Sequence, residues 1–313
     1  MTSWPAQPVT VVVPATSANL GPGFDSLGLA LSLYDTVEAR VAESGVTVQV
    51  TGVGESHSWR PDQHLVVRAM RAGFAATGGQ PPGIGIRSRN EVPQSFGLGS
   101  SAAAIVSGLL AARALAAARE AVADPADVLP DADVLRLACE IEGHPDNVAA
   151  CLAGGLTIAF PTAAGLGVAR LTPLARLAPV LCVPAVPVAT SAARKALPDE
   201  VPHADAAANS ARAALLIVAL TTRPDLLLPA TEDFLHQRYR AAAMPRTAAL
   251  VATLREAGVP AVVSGAGPSV LALTVDGQTA GAAEAARIAT QADGLWRVLP
   301  LRVDVAGARL VGG

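Results

Sequence analysis

Two α+β domains are what this sequence predicts, on three observations. The chain has 313 residues, 51% of them hydrophobic, which is more than one core of ordinary size takes up. Stretches with an apolar period of two alternate along the whole length with stretches of helical period, the pattern of strands and helices layered on each other. Near the middle, a run containing Pro161, Gly165 and Gly167 interrupts this pattern and reads as a linker. It places the domains at 1–163 and 164–313.

Alternating apolar residues predict strands at 9–13, 36–41 and 46–50, followed by a helix over 63–76 and a strand at 83–87. A long alanine-rich helix runs from Ser100 to about Arg119. After a connection rich in Pro and Asp comes a helix at 133–142, capped by Asp131 or Asp133 and ended by Gly143. Pro145 suits the first turn of the next helix, which stops at Gly154-Gly155 before a strand at 156–160. Beyond the linker, strands are predicted at 180–184, 261–264, 270–275 and 298–305, and helices at 204–220, 246–257 and 279–291.

Composition excludes several functions. The net charge is −3, with no basic patch and no interleaved aromatic run, so a nucleic-acid partner is not expected. The N-terminal segment lacks a basic region ahead of its apolar run, and Pro5, Pro8 and Pro14 would break a signal helix. The longest apolar stretch, 102–112, falls short of the roughly 20 residues that cross a bilayer, so no membrane partner is expected. Cys139, Cys151 and Cys182 are odd in number and lack metal-ligand spacing, which suits reduced thiols in a cytoplasmic protein.

The segment at 92–103, VPQSFGLGSSAA, carries the most chemistry. A Gly-Leu-Gly-Ser-Ser turn enters a helix directly, so free backbone amides and hydroxyls gather at a helix start, where the helix dipole favours an anion. Gly97 and Gly99 let the backbone approach a ligand closely, while Ser100 and Ser101 can cap the helix or reach that anion. The chain's one lysine, Lys195, follows no glycine loop. A P-loop nucleotide site and a protein-kinase site, which both need such a lysine, are therefore excluded. A dinucleotide fingerprint needs GxGxxG after the first strand and an acidic residue about 20 positions on, and Gly97-x-Gly99 lacks the third glycine at that spacing.

VPQSFGLGSSAA resembles the phosphate loop of the GHMP kinases, and PATSANLGPGFD at 14–25 and SGAGPSVLAL at 264–273 fit the same superfamily. The opening motif is similar to that of the homoserine kinases. EIEGHPDN at 140–147, TSAAR at 190–194, HADAAANSARAALL at 203–216 and YRAAAMP at 239–245 extend the resemblance over nearly the whole chain.

The resemblance implies an N-terminal nucleotide-binding α+β domain, a C-terminal ferredoxin-like α+β domain and a homodimer. It implies transfer of phosphate from ATP to L-homoserine, a step in threonine biosynthesis. Another small-alcohol kinase, or a catalytically silent sensor on the same fold, is the alternative.

ATP would lie along Pro93, Gln94, Ser95, Phe96, Gly97, Leu98, Gly99, Ser100, Ser101, Ala102 and Ala103, with Mg2+ held by Ser101 and Glu142, or by Glu140 in its place. Homoserine would bind through Asn19, Asp25, His144, Asp146, Asn147, Thr190, Arg194, Arg240 and Gly267. Among these, Asn19, Asp25, Asp146, Asn147 and Arg194 are the catalytic candidates, and the base stays open between Asp25, Asp146 and direct transfer to phosphate. By residue chemistry alone, Asn19 and Asp25 could equally stabilise a loop, Asp146 and Asn147 could cap a helix, and Arg238 or Arg246 could stand in for Arg240.

Overall fold

The computed structural model describes residues 4–55, 60–163, 165–187, 190–277, 281–292 and 296–312, without the side chains of 190–192. The first half contains β1 (Val9–Ala18), β2 (Leu27–Ala42), β3 (Gly45–Gly52), α1 (Leu65–Ala76), β4 (Gly83–Asn90), α2 (Ser100–Glu120), α3 (Asp131–Glu142), α4 (Asp146–Ala153), β5 (Leu156–Thr162) and β6 (Gly165–Leu171). The second contains β7 (Val180–Pro184), α5 (Thr190–Lys195), α6 (His203–Thr221), α7 (Leu227–Ala230), α8 (Gln237–Arg240), α9 (Pro245–Glu256), β8 (Ala261–Val263), β9 (Val270–Ala272), α10 (Ala282–Gln291), β10 (Trp296–Pro300) and β11 (Arg309–Val311).

One sheet runs β11-β1-β2-β4-β3, with β5 paired to β2 and β6 to β5. The other runs β10-β7-β9-β8 and is antiparallel throughout. That order, with helices between β7 and β8 and between β9 and β10, is the ferredoxin-like arrangement. The 163/164 division falls between Thr162 and Gly165, which pair as β5 and β6, so the strands flanking the expected linker are partners and β6 stays on the first sheet. The chain also returns to that sheet at its end, where Val12 pairs with Arg309 of β11. Chain halves and sheets therefore do not coincide.

Apolar clusters hold these layers. Val11, Val13, Val37 and Ile86 on the first sheet meet α1, α2 and α4 through residues such as Phe74, Leu109 and Val148. The period of two divides β7: Val180 and Cys182 face α9 and α10, while Leu181 and Val183 face a cluster shared with Leu29 and Leu31 of β2 and Leu216 of α6. That shared cluster locks the two sheets together.

β1 and β2 are longer than alternation predicts, because Ala15 to Ser17 and Leu29 to Leu31 are completely buried and show no polar face. α2 is long and apolar enough for a membrane span, but it is mostly buried inside the protein. It is a core helix. Cys182 lies in the core, where burial pushes its thiol up to about 12.

Candidate active site

Three separate segments are stitched around the start of α2. The Thr16 amide donates to the Leu98 carbonyl (3.0 Å) and the Gly265 amide to the Ala18 carbonyl (3.1 Å). The Ser264 hydroxyl donates to the Gly97 carbonyl at 2.7 Å. Gly97 and Gly99 have φ of 74° and 65°. A Cβ on Gly97 would lie 2.1 Å from the Ser264 carbonyl oxygen, and one on Gly99 would lie 1.9 Å from Thr16 Oγ1. These approaches require glycine. Among the described residues no side chain caps α2, so its first amides stay available to an anion.

A cavity of about 200 Å³ opens over that helix start. On one wall, Ser101 Oγ donates to Glu142 Oε1 at 2.5 Å. Glu140, by contrast, is paired with Arg136 on the exposed face of α3. Asp146, only 3% exposed, accepts from the Asn147 amide (2.7 Å) and lies 3.2 Å from His144 Nδ1. That contact raises the His144 pKa above its ordinary value, against burial, and favours imidazolium. Asn147 Oδ1 accepts from Thr16 Oγ1 at 2.8 Å, which orients its amide.

The far wall is made by the turn after β1 and by the second half of the chain. Asn19 donates Nδ2 to the Gly265 carbonyl (2.9 Å) and accepts the Asp25 amide (2.9 Å), which sets the Asp25 carboxylate in place. Arg194 binds that carboxylate through two nitrogens, at 3.2 and 2.9 Å. Both side chains are about two-fifths exposed, at 41% and 37%. Arg240 lines the same cavity although it is 1% exposed. Its rivals lie elsewhere: Arg238 pairs with Asp205 on the surface, and Arg246 does not line the cavity.

Several expected residues lie apart from the cavity. Gly267 backs onto Gly97 and Met244, so Gly265 and Ala266 form the wall instead. Ala102 is in the core, and Pro93 and Phe96 face a separate groove with Val183 and Arg297. Ser95, Ser100 and Ser101 line both the first cavity and an adjoining one of about 330 Å³, which Gln94 and Ala103 line together with Asp35, His64 and Ser107. Thr190 begins α5, but its side chain lies outside the described residues. Asp35 and His64 were not singled out by sequence, and a carboxylate directly before the apolar run at 36–41 was the available signal. Burial raises the Asp35 carboxyl to about 6, despite its bonds from the Glu91 and Val92 amides.

Anion-binding amides at one end of this cavity and paired charges at the other leave space for one small substrate, the layout of a two-lobed small-molecule kinase. The profiles of the GHMP kinases N terminal domain and of the GHMP kinases C terminal match residues 64–155 and 216–292. Homoserine kinase of Streptomyces coelicolor is 55% identical over 280 residues, covering 90% of this chain and 88% of that one. The Streptomyces avermitilis homoserine kinase is 50% identical over 306 residues, covering 98% and 96%.

Among solved structures, homoserine kinase from Cytophaga hutchinsonii superposes with a TM-score of 0.80 at 26% identity, covering 99% of both chains. Mevalonate kinase of L. major, at 14% identity and a TM-score of 0.70 over 98% of this chain and 100% of that one, shares the fold. The chain belongs to the GHMP kinases, and within them to the homoserine kinase family.

Proposed function

We infer that this protein transfers the γ-phosphoryl group of ATP to the side-chain hydroxyl of L-homoserine, giving O-phospho-L-homoserine for threonine biosynthesis. The observation that carries this reading is the Asp25–Arg194 pair facing the start of α2 across one cavity. A carboxylate and a planar guanidinium side by side match the ammonium and carboxylate of an amino acid. The phosphates would rest on the first amides of α2, and the adjoining cavity has room for the nucleoside.

Ser101 and Glu142 offer hard oxygen donors, the chemistry Mg2+ prefers. No group of three or more His, Cys, Asp or Glu that could hold a metal occurs among the described residues, so nucleotide oxygens and water would complete its shell. There the ion would neutralise charge on the β- and γ-phosphates.

Asn19 and Asp25 would hold the ammonium, and Arg194 with Arg240 the carboxylate. Asp146 and Asn147 would then lie beside the hydroxyl. Phosphoryl transfer passes through a loose transition state, so alignment and charge neutralisation supply most of the rate. Asp25 is engaged by Arg194 and Asp146 by His144 and the Asn147 amide, so the hydroxyl proton would pass to one of these two carboxylates or directly to phosphate. A homodimer and a cytoplasmic location belong to the same reading; sedimentation and cell fractionation test them.

Incubation with Mg-ATP and L-homoserine, followed by 31P NMR, is the direct test of the product. A phosphomonoester resonance coupled to the homoserine γ-methylene protons is expected. Inorganic phosphate as the sole product would overturn the reading.

A further inference from the structure

Behind the cavity lies a histidine that no step above uses. His236 has no exposed side-chain surface. Its Nε2 is 2.9 Å from the Gly21 carbonyl oxygen, and its Nδ1 is 3.0 Å from Nη1 of Arg240. A carbonyl can only accept and a guanidinium can only donate. One protonation state satisfies both contacts: neutral imidazole with its proton on Nε2. Burial lowers the pKa of His236, and the adjacent Arg240 charge acts in the same direction, against Asp233 and Asp25, which oppose it.

The surroundings fix this ring. Asp233, also without exposed side-chain surface, accepts the amides of Leu235 (3.0 Å), His236 (3.0 Å) and Gln237 (2.6 Å), shaping the turn that carries the imidazole. Phe24 stacks on the ring at 5.3 Å between centroids, and the Arg240 guanidinium lies 5.7 Å from the Phe24 ring. Arg240 itself donates Nε to the Ala193 carbonyl (3.2 Å) and Nη1 to the Gly265 carbonyl (3.3 Å). Its Nη2 makes no hydrogen bond among the described residues, while the residue lines the cavity.

We propose that His236 is a positioning residue for the amino-acid subsite: through Nδ1 it holds the Arg240 guanidinium with Nη2 free for the substrate carboxylate, and through Nε2–H it ties Arg240 to the turn carrying Asn19 and Asp25. Both charged ends of the substrate site are thereby referred to one rigid ring. This rests on the reading of Arg240 as a carboxylate ligand given above. An arginine held at Nε and Nη1 has little rotamer freedom left to lose when it binds, which favours affinity without touching the transferred phosphoryl group.

Two substitutions separate the two contacts. Asn at this position offers Oδ1 as an acceptor in place of Nδ1, whereas Gln offers an Nε2 donor to Gly21 and no acceptor placed for Arg240. His236→Gln should raise KM for L-homoserine on the order of tenfold, with KM for ATP changed by less than about twofold. His236→Asn, which keeps an acceptor for Arg240 and loses the donor to Gly21, should raise KM for L-homoserine clearly less than His236→Gln does, and His236→Gln should add nothing in an Arg240→Ala background. Equal effects of Gln and Asn on both Michaelis constants, or full additivity with Arg240→Ala, would overturn the proposal.

If Arg240→Ala alone leaves KM for homoserine unchanged, the assignment of Arg240 fails and takes this inference with it. A normal Arg240→Ala effect with a silent His236→Gln removes only the inference. Should the variants not fold, 15N NMR of the histidine-labelled parent protein decides: a neutral Nε2–H tautomer at pH 7 is expected, and an Nδ1–H tautomer or an imidazolium refutes it.

Discussion

Arg194→Ala tests the substrate end of the site most fully. In the structure Arg194 is already engaged, by two hydrogen bonds to Asp25. Homoserine must exchange that pair for its own: carboxylate to Arg194, ammonium to Asp25. With the two side chains 41% and 37% exposed, the internal pair is a solvent-screened one, worth about 0 to 1 kcal/mol. A bidentate charge-assisted contact to a bound carboxylate is worth roughly 1.5 to 3 kcal/mol.

Removing Arg194 forfeits the second and also releases Asp25 from the first, so the net loss is about 0.5 to 3 kcal/mol. That is a rise of roughly 2- to 150-fold in KM for homoserine. Steady-state kinetics with each substrate varied in turn measures it, and KM for ATP should move by less than about twofold. Equal shifts in both Michaelis constants, or none in that for homoserine, would refute the exchange.

Three further outcomes follow from other parts of the site. Glu142→Ala should abolish turnover, by about a thousandfold or more, while leaving the thermal transition intact, because Glu142 bonds Ser101 at the cavity wall; activity close to the parent would remove it from the metal site. Gly99→Ala should destabilise the fold by about 2 to 4 kcal/mol, since its left-handed backbone and the 1.9 Å approach to Thr16 both penalise a Cβ; an unchanged unfolding midpoint would contradict this. Asp35 binds a proton more tightly folded than unfolded, with its carboxyl raised from 3.8 to about 6. Its stabilising share is present below pH 3.8 and lost as pH rises through about 6. Asp35→Asn should therefore gain stability relative to the parent between pH 4 and pH 7 in urea titrations, and a constant difference would disprove the shift.

The phosphate loop was legible because its signal is local: two glycines, two serines and an apolar helix in consecutive positions. α2, α3 and α9 were legible for the same reason. What sequence missed depends on distant partners. β11 is three residues long and is a strand only because Val12 pairs with Arg309 across almost the entire chain. The 161–167 run looks like a linker from its proline and glycines, yet Thr162 pairs with Gly165, so the strands flanking the division are partners.

Among the arginines, nothing local separates Arg238, Arg240 and Arg246. Burial against Gly265 and His236 selects Arg240, whereas Arg238 reaches Asp205 in solvent. His236 and Arg240 stand four apart, a helical pair visible in the sequence, but the Gly21 carbonyl that completes the arrangement is 215 positions away.

The central claim is that one cavity brings ATP and L-homoserine together. ADP release from Mg-ATP by the purified protein, with L-homoserine, L-serine, L-threonine, mevalonate and galactose tested in parallel, addresses it directly. The account predicts a strong response to L-homoserine alone. A stronger response to mevalonate or galactose, or none to any of the five, would contradict it.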